Sequence, residues 1–245
     1  LYLADTAQVP YGPRPMAEVR AFSHAITRFL LDQGATEIVV ACNTASAAAL
    51  KSLRAAYPDV PFVGMEPAVR PAAEHTHSGV VGVLATPATF QGELFASVVE
   101  RFARDVRVMR QTCPGLVEQI EAGRLDTPDT EALLRGWVEP MLAAGIDALV
   151  LGCTHYPFVI PVLERICGPG VRVIDPAPAV ARQAARLWQG STRDPDLHYF
   201  VTGDLGDFDT FRAQVGLPAA TIAGLTWEAG ALKARPRFAK ISQLG

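Results

Sequence analysis

Phe29–Thr44 reads FLLDQGATEIVVACNT, and Pro140–His155 reads PMLAAGIDALVLGCTH. The two stretches lie 111 positions apart and align without a gap. Leu31 falls on Leu142, Gly34 on Gly145, Val39 on Val150 and Cys42 on Cys153. Each has the same grammar: a helix end, a glycine at its C-terminal cap, a short apolar run, then a thiol followed by small polar residues. That order predicts a buried parallel strand that delivers its cysteine into a loop at the strand's carboxyl end, where open α/β sheets bind ligands. Two such half-sites point to two similar acid/base groups on either side of one substrate.

Working outward, the chain alternates strands and helices. The opening residues Leu1–Asp5 read as a strand, followed by a Pro/Gly-punctuated loop, Thr6–Pro13. Met16–Gln33 carries apolar residues at Val19, Phe22, Ile26, Phe29 and Leu30 in helical period, closed by Gly34. Ile38–Ala41 is the first cysteine strand, Ser46–Ala56 an alanine-rich helix, and Phe62–Met65 a further strand. A second unit starts at Gly79: a strand at Val80–Leu84, a polar turn at Thr86–Phe90, a helix at Gly92–Phe102 and a strand at Val106–Arg110. A helix at Thr130–Ala144, the second cysteine strand at Ala148–Leu151, a helix at Val159–Ile166 and a strand at Val171–Ile174 complete it. The segments 181–188, 199–202 and 208–215 are expected to fold back onto the first unit. The fold class is therefore α/β: two pseudo-symmetric domains, each a mainly parallel sheet flanked by helices, with the site in the cleft between them. The expected division is 1–66 with 176–245 for the first and 67–175 for the second.

Composition narrows the function. The chain has 245 residues, half of them hydrophobic, enough for one large or two modest cores. A net charge of −3 and a pI near 6 give no footprint for nucleic acid or a membrane surface. The four cysteines, Cys42, Cys113, Cys153 and Cys167, form no secreted disulfide framework, so a reduced, cytoplasmic setting is expected. The glycines form neither a dinucleotide nor a P-loop pattern.

A thiol at the end of a parallel strand, just before a helix, sits beside backbone N–H groups that stabilise a thiolate and accept a substrate carboxylate. Two opposed thiols can take a proton from one face of a carbon and return one to the other face, inverting it with no cofactor and no metal. A lone cysteine after a buried strand is more often core filler, which is the expectation for Cys113 and Cys167; the matched contexts favour chemistry for Cys42 and Cys153. Cys153-Thr154-His155 also admits a metal site or a Cys–His nucleophile, though neither explains Cys42. His24, His75, His77 and His198 have no motif context.

With ADTAQVPYG (Ala4–Gly12), ACNTASA (Ala41–Ala47) and GCTHYP (Gly152–Pro157) in order, the chain resembles the glutamate racemases of the aspartate/glutamate racemase superfamily from Leu1 to at least Asp175. The resemblance implies cofactor-independent interconversion of L- and D-glutamate, supplying D-glutamate for peptidoglycan, by a protein that is often a homodimer. It implies Cys42 and Cys153 as the catalytic thiols and Asn43, Thr44, Thr154 and His155 as substrate-binding neighbours, with His155 also assisting Cys153. It further implies Tyr11 and Gly12 as a loop against the substrate, and Glu121 as a supporting carboxylate. The resembled family opens with a strand and turn of the form FDSGxGG whose Asp and Ser contact the substrate; that pattern does not occur here, and Asp5 belongs to a different motif. The expectation is a chain that lacks one strand of its first domain and one set of substrate contacts, with activity badly impaired or absent. Alternatives are a sister enzyme for aspartate or another small acid, and a non-catalytic binding protein.

Overall fold

A computed structural model describes residues 1–188 and 196–235; the last part of the expected first domain, 236–245, lies outside the described residues. The strands are β1 (Tyr2–Ala4), β2 (Ile38–Val40), β3 (Phe62–Gly64), β4 (Val80–Ala85), β5 (Arg107–Thr112), β6 (Ala148–Gly152), β7 (Arg172–Ile174), β8 (His198–Val201), β9 (Thr221–Glu228) and β10 (Ala231–Ala234). The helices are α1 (Met16–Asp32), α2 (Asn43–Ala56), α3 (Val69–His75), α4 (Pro87–Gln91), α5 (Glu93–Phe102), α6 (Leu116–Glu121), α7 (Pro128–Ala143), α8 (Ile160–Cys167), α9 (Ala177–Leu187) and α10 (Leu205–Gln214). The α/β class stands, with parallel sheets flanked by helices.

The sequence repeat is also a repeat of hydrogen bonds. Helix α1 ends with Gly34 N–H donating to Leu31 O at 2.9 Å and Ala35 N–H to Leu30 O at 3.0 Å. Helix α7 ends with Gly145 N–H donating to Leu142 O at 2.9 Å and Ile146 N–H to Met141 O at 3.3 Å. This is one Schellman cap written twice, and it requires the left-handed φ of +88° at Gly34 and +83° at Gly145, where glycine carries no Cβ penalty. Strand register repeats at the same offset: Ile38 pairs with Phe62, and Leu149 with Val173.

The two copies differ in what surrounds them. Strands β5-β4-β6-β7 form one continuous parallel sheet, and every residue of β6 is buried. Its core includes Leu84, Leu116, Leu134, Leu149, Leu151 and Leu163, all inaccessible to solvent. At about 25 cal/mol per Å² of apolar surface, each such leucine gains roughly 1.5–3 kcal/mol from burial. The other strands fall into two sheets, β1-β8-β9-β10 and β2-β3. Among the described residues β1 pairs only with β8 and β2 only with β3, and Leu1, Tyr2 and Val39 are exposed at 49%, 46% and 42%.

Several local expectations change. Thr86–Phe90 is not a plain polar turn: Thr86 caps α4, its Oγ1 accepting the Thr89 N–H, with Pro87 in the first turn. Helix α2 begins at Asn43 rather than Ser46, because Cys42 itself is the cap. Helix α1 fully buries Val19, Ser23 and Thr27, while its aromatic residues reach sideways. Phe22 packs on Trp227 and Phe29 on Phe200, at centroid distances of 5.1 and 5.0 Å. The helix is clasped between α2 and the sheet of β8–β10, so its apolar positions spread over two faces. The segment after Leu197 does return to the start of the chain: β8 pairs parallel with β1. Among the described residues no helix is long and apolar enough to cross a membrane.

Candidate functional site

The carboxyl ends of β1, β2, β4 and β6 open onto one cleft of about 1530 Å³. Its wall includes Asp5, Tyr11, Gly12, Cys42, Thr44, Thr86, Glu121, Cys153, Thr154 and His155. The cavity exceeds the usual range of small-molecule pockets because it continues along β1 and β2, past Leu1, Thr36 and Val39.

Cys42 has extended backbone, φ −153° and ψ 126°, and its sulfur accepts the Ala45 N–H at 3.4 Å as the cap of α2. Serine, threonine or aspartate usually fills that position; a thiol there puts sulfur at the positive end of a helix dipole. The side chain is half-buried, yet the protein packed round its sulfur pushes the thiol up to about 11. The Ala45 N–H works against that rise, and the charge on Cys153 adds to it, so the two thiols feel each other across the cleft.

Cys153 follows β6 and is buried. The chain then enters a short 3₁₀ turn, Tyr156–Val159, before α8. The side chain facing this thiol is His155, its Nδ1 4.0 Å from Sγ. On the other side of the ring, Nε2 lies 2.6 Å from Glu121 Oε1, at the end of α6. Burial disfavours the imidazolium, but Cys153 and Glu121 outweigh it and raise His155 to about 10. Glu121, His155 and Cys153 therefore stand in one line, with the ring between carboxylate and sulfur.

Thr44 faces the cleft, and its Oγ1 is 2.8 Å from Thr86 Oγ1, which is 3.0 Å from Thr89 Oγ1. The hydroxyls of α2 and of the turn after β4 thus form one chain across the cleft. Asn43 does not join it: the residue is buried and lines no part of the cleft, with neither amide atom hydrogen-bonded among the described residues. Tyr11 and Gly12 lie on the wall of the cleft. A Cβ on Gly12 would stand 2.8 Å from the Thr86 side chain, so that approach needs glycine. Glu121 comes within reach of His155 although the sequence around it gave little sign of this.

Cys113 and Cys167 belong to the β4–β6 core or pack on it, and burial pushes them up to about 12 and about 11. His24, His75, His77 and His198 line no part of the cleft. Among the described residues no group of three or more His, Cys, Asp or Glu side chains could hold a metal ion. Sequence reasoning missed Thr86 and Thr89; the T-P-x-T pattern after an apolar run was their signal. It also missed the clasp on Asp5, for which no local signal exists.

Residues 1–184 match the family described as Asp/Glu/Hydantoin racemase. Over 189 residues the chain is 57% identical to a glutamate racemase of Roseiflexus sp. (strain RS-1), covering 77% of this chain and 70% of that one. It is 56% identical over 204 residues to one from Stutzerimonas stutzeri (strain A1501), covering 83% and 75%. Among solved structures, glutamate racemase RacE1 of Bacillus anthracis superposes with a TM-score of 0.82 at 27% identity, covering 94% of this chain and 88% of that one. The Escherichia coli glutamate racemase in complex with L-glutamate and the activator UDP-MurNAc-ala gives 0.80 at 29% identity, covering 92% and 87%.

Proposed function

The chain belongs to the Asp/Glu/Hydantoin racemase family, and from that premise we propose that it interconverts L- and D-glutamate by passing protons through Cys42 and Cys153. One thiolate removes the Cα proton while the opposing thiol donates a proton to the other face; the roles exchange in the reverse direction. The N-terminal turn of α2 and the Thr44–Thr86 hydroxyls offer donors to substrate carboxylates. Thr154 and His155 serve beside the second thiol, and Glu121 holds the His155 ring in place beside Cys153. Tyr11 and Gly12 form the loop over the substrate. Asn43, with two buried amide atoms that lack partners among the described residues, is a substrate-binding neighbour of Cys42 in the same reading.

The observation that carries this reading is the pair of thiols, 111 positions apart in a repeat of sequence, cap and register, on one cleft. No cofactor enters the mechanism. The division into 1–66 with 176–245 and 67–175, a cytoplasmic setting, supply of D-glutamate to peptidoglycan and a homodimer belong to the same proposal.

Proton NMR of L-glutamate in D2O tests the reading: deuterium at Cα together with D-glutamate supports it. Loss of the Cα proton from aspartate but not from glutamate would move the proposal to the sister substrate, and no exchange with either would overturn racemisation.

A further inference from the structure

Asp5 follows β1 directly and accepts three side-chain hydrogen bonds. Tyr11 OH donates to Oδ2 at 2.5 Å, and Thr202 Oγ1 and Trp227 Nε1 donate to Oδ1, each at 2.7 Å. The donors come from three places: the loop over the cleft, the end of β8, and β9. Thr202 Oγ1 also accepts the Ala7 N–H at 3.1 Å, and its own N–H donates to Ala4 O at 3.1 Å. Tyr11 packs on the small cluster of Val19, Ala45 and Ala48 that also takes Cys42. A carboxylate bound by three donors is a fixed point, because releasing any one strands a partly buried polar group.

We propose that Asp5 is a positioning residue: its carboxylate clamps the Tyr11 phenol, and through it the Tyr11-Gly12 loop, beside the Cys42 thiol. The proposal rests on the reading of that loop as part of the site. Burial and the Asp5 charge keep the Tyr11 phenol protonated, which maintains it as the donor. Packing is also the main cause that holds the Cys42 thiol neutral, so a loosened Tyr11 exposes the sulfur and increases its thiolate fraction.

Alkylation by iodoacetamide, followed by mass spectrometry at Cys42 and Cys153 in the same molecule, reads this without turnover. Asp5→Ala raises the rate at Cys42 roughly tenfold relative to Cys153, about the worth of one hydrogen bond to a charged group. Asp5→Asn restores most of the native ratio, since its carbonyl oxygen can accept from Thr202 and Trp227 while its NH2 donates to the phenol oxygen. Should Asp5→Ala fail to fold, Tyr11→Phe carries the test with the same expected shift, and where Asp5→Ala folds, the double variant adds nothing to either single one. An unchanged Cys42/Cys153 ratio in Tyr11→Phe, or effects of the two variants that multiply, would overturn the proposal. Because no glutamate is involved, failure of deuterium exchange leaves this result standing, and failure here leaves racemisation standing.

Discussion

Two stretches of one repeat end in the same atom and treat it differently. Cys42 caps a 14-residue helix, its strand is paired with β3 alone among the described residues, and its own supporting groups are backbone N–H and the Thr44 hydroxyl. Cys153 follows a strand paired on both sides, precedes a 3₁₀ turn in place of a full helix, and leans on His155 and Glu121. A helix N-terminus stands beside one sulfur and a carboxylate–imidazolium pair beside the other, and at Cys42 burial outweighs the backbone donors. The repeat therefore fixes where the thiols stand, and each half surrounds its thiol differently.

The sharpest way to break the comparison is to remove either sulfur. Cys42→Ser and Cys153→Ser should each lower racemisation by about 10³-fold or more, as expected when a positioned acid or base is lost, with the circular dichroism spectrum unchanged. Activity surviving in one variant would mean the halves do not share the chemistry. Removing the helper is expected to cost less. Glu121→Gln should lower turnover roughly 10- to 100-fold by releasing the imidazolium, and the titration of His155, followed by NMR, should fall from about 10 toward its usual value.

Stability sharpens the contrast between the equivalent strands. Val150 is inaccessible in the centre of its sheet, and its counterpart Val39 is 42% exposed on an open edge. Val150→Ala should cost about 2 kcal/mol in urea unfolding and Val39→Ala less than about 0.5. Equal costs would mean that β2 is covered in solution.

The smallest effect concerns pH. His155 is raised in the folded protein, so the stability it contributes is complete below about 6.5, its unfolded value, and is lost as pH rises through about 10. Cys42, Cys113 and Cys167 are raised too, but their unfolded thiols ionise only near 9. A decline in the urea midpoint between pH 6.5 and 9 thus isolates His155, and Glu121→Gln should flatten it.

Much of this was legible because it is local. A glycine cap, an apolar run and a thiol occupy sixteen consecutive residues in each copy, and both strands and both caps follow from such patterns. What stayed hidden is of two kinds. Helices α3, α4 and α6 have seven, five and six residues, too few for a 3.6-residue period to declare itself. Contacts such as Thr44 with Thr86, or Trp227 with Asp5, join residues 42 and 222 positions apart, and no spacing rule spans that distance. Asn43 is a different case: its motif marks it for the substrate, and both of its buried amide atoms are without a hydrogen-bond partner among the described residues.

The most direct test of the two-thiol mechanism is solvent exchange by the single-thiol variants in D2O, each given pure L- or D-glutamate. If each sulfur serves one face, Cys42→Ser should wash deuterium into one enantiomer without inverting it, and Cys153→Ser into the other. Exchange of the same enantiomer by both variants, or of both enantiomers by either one, would contradict it.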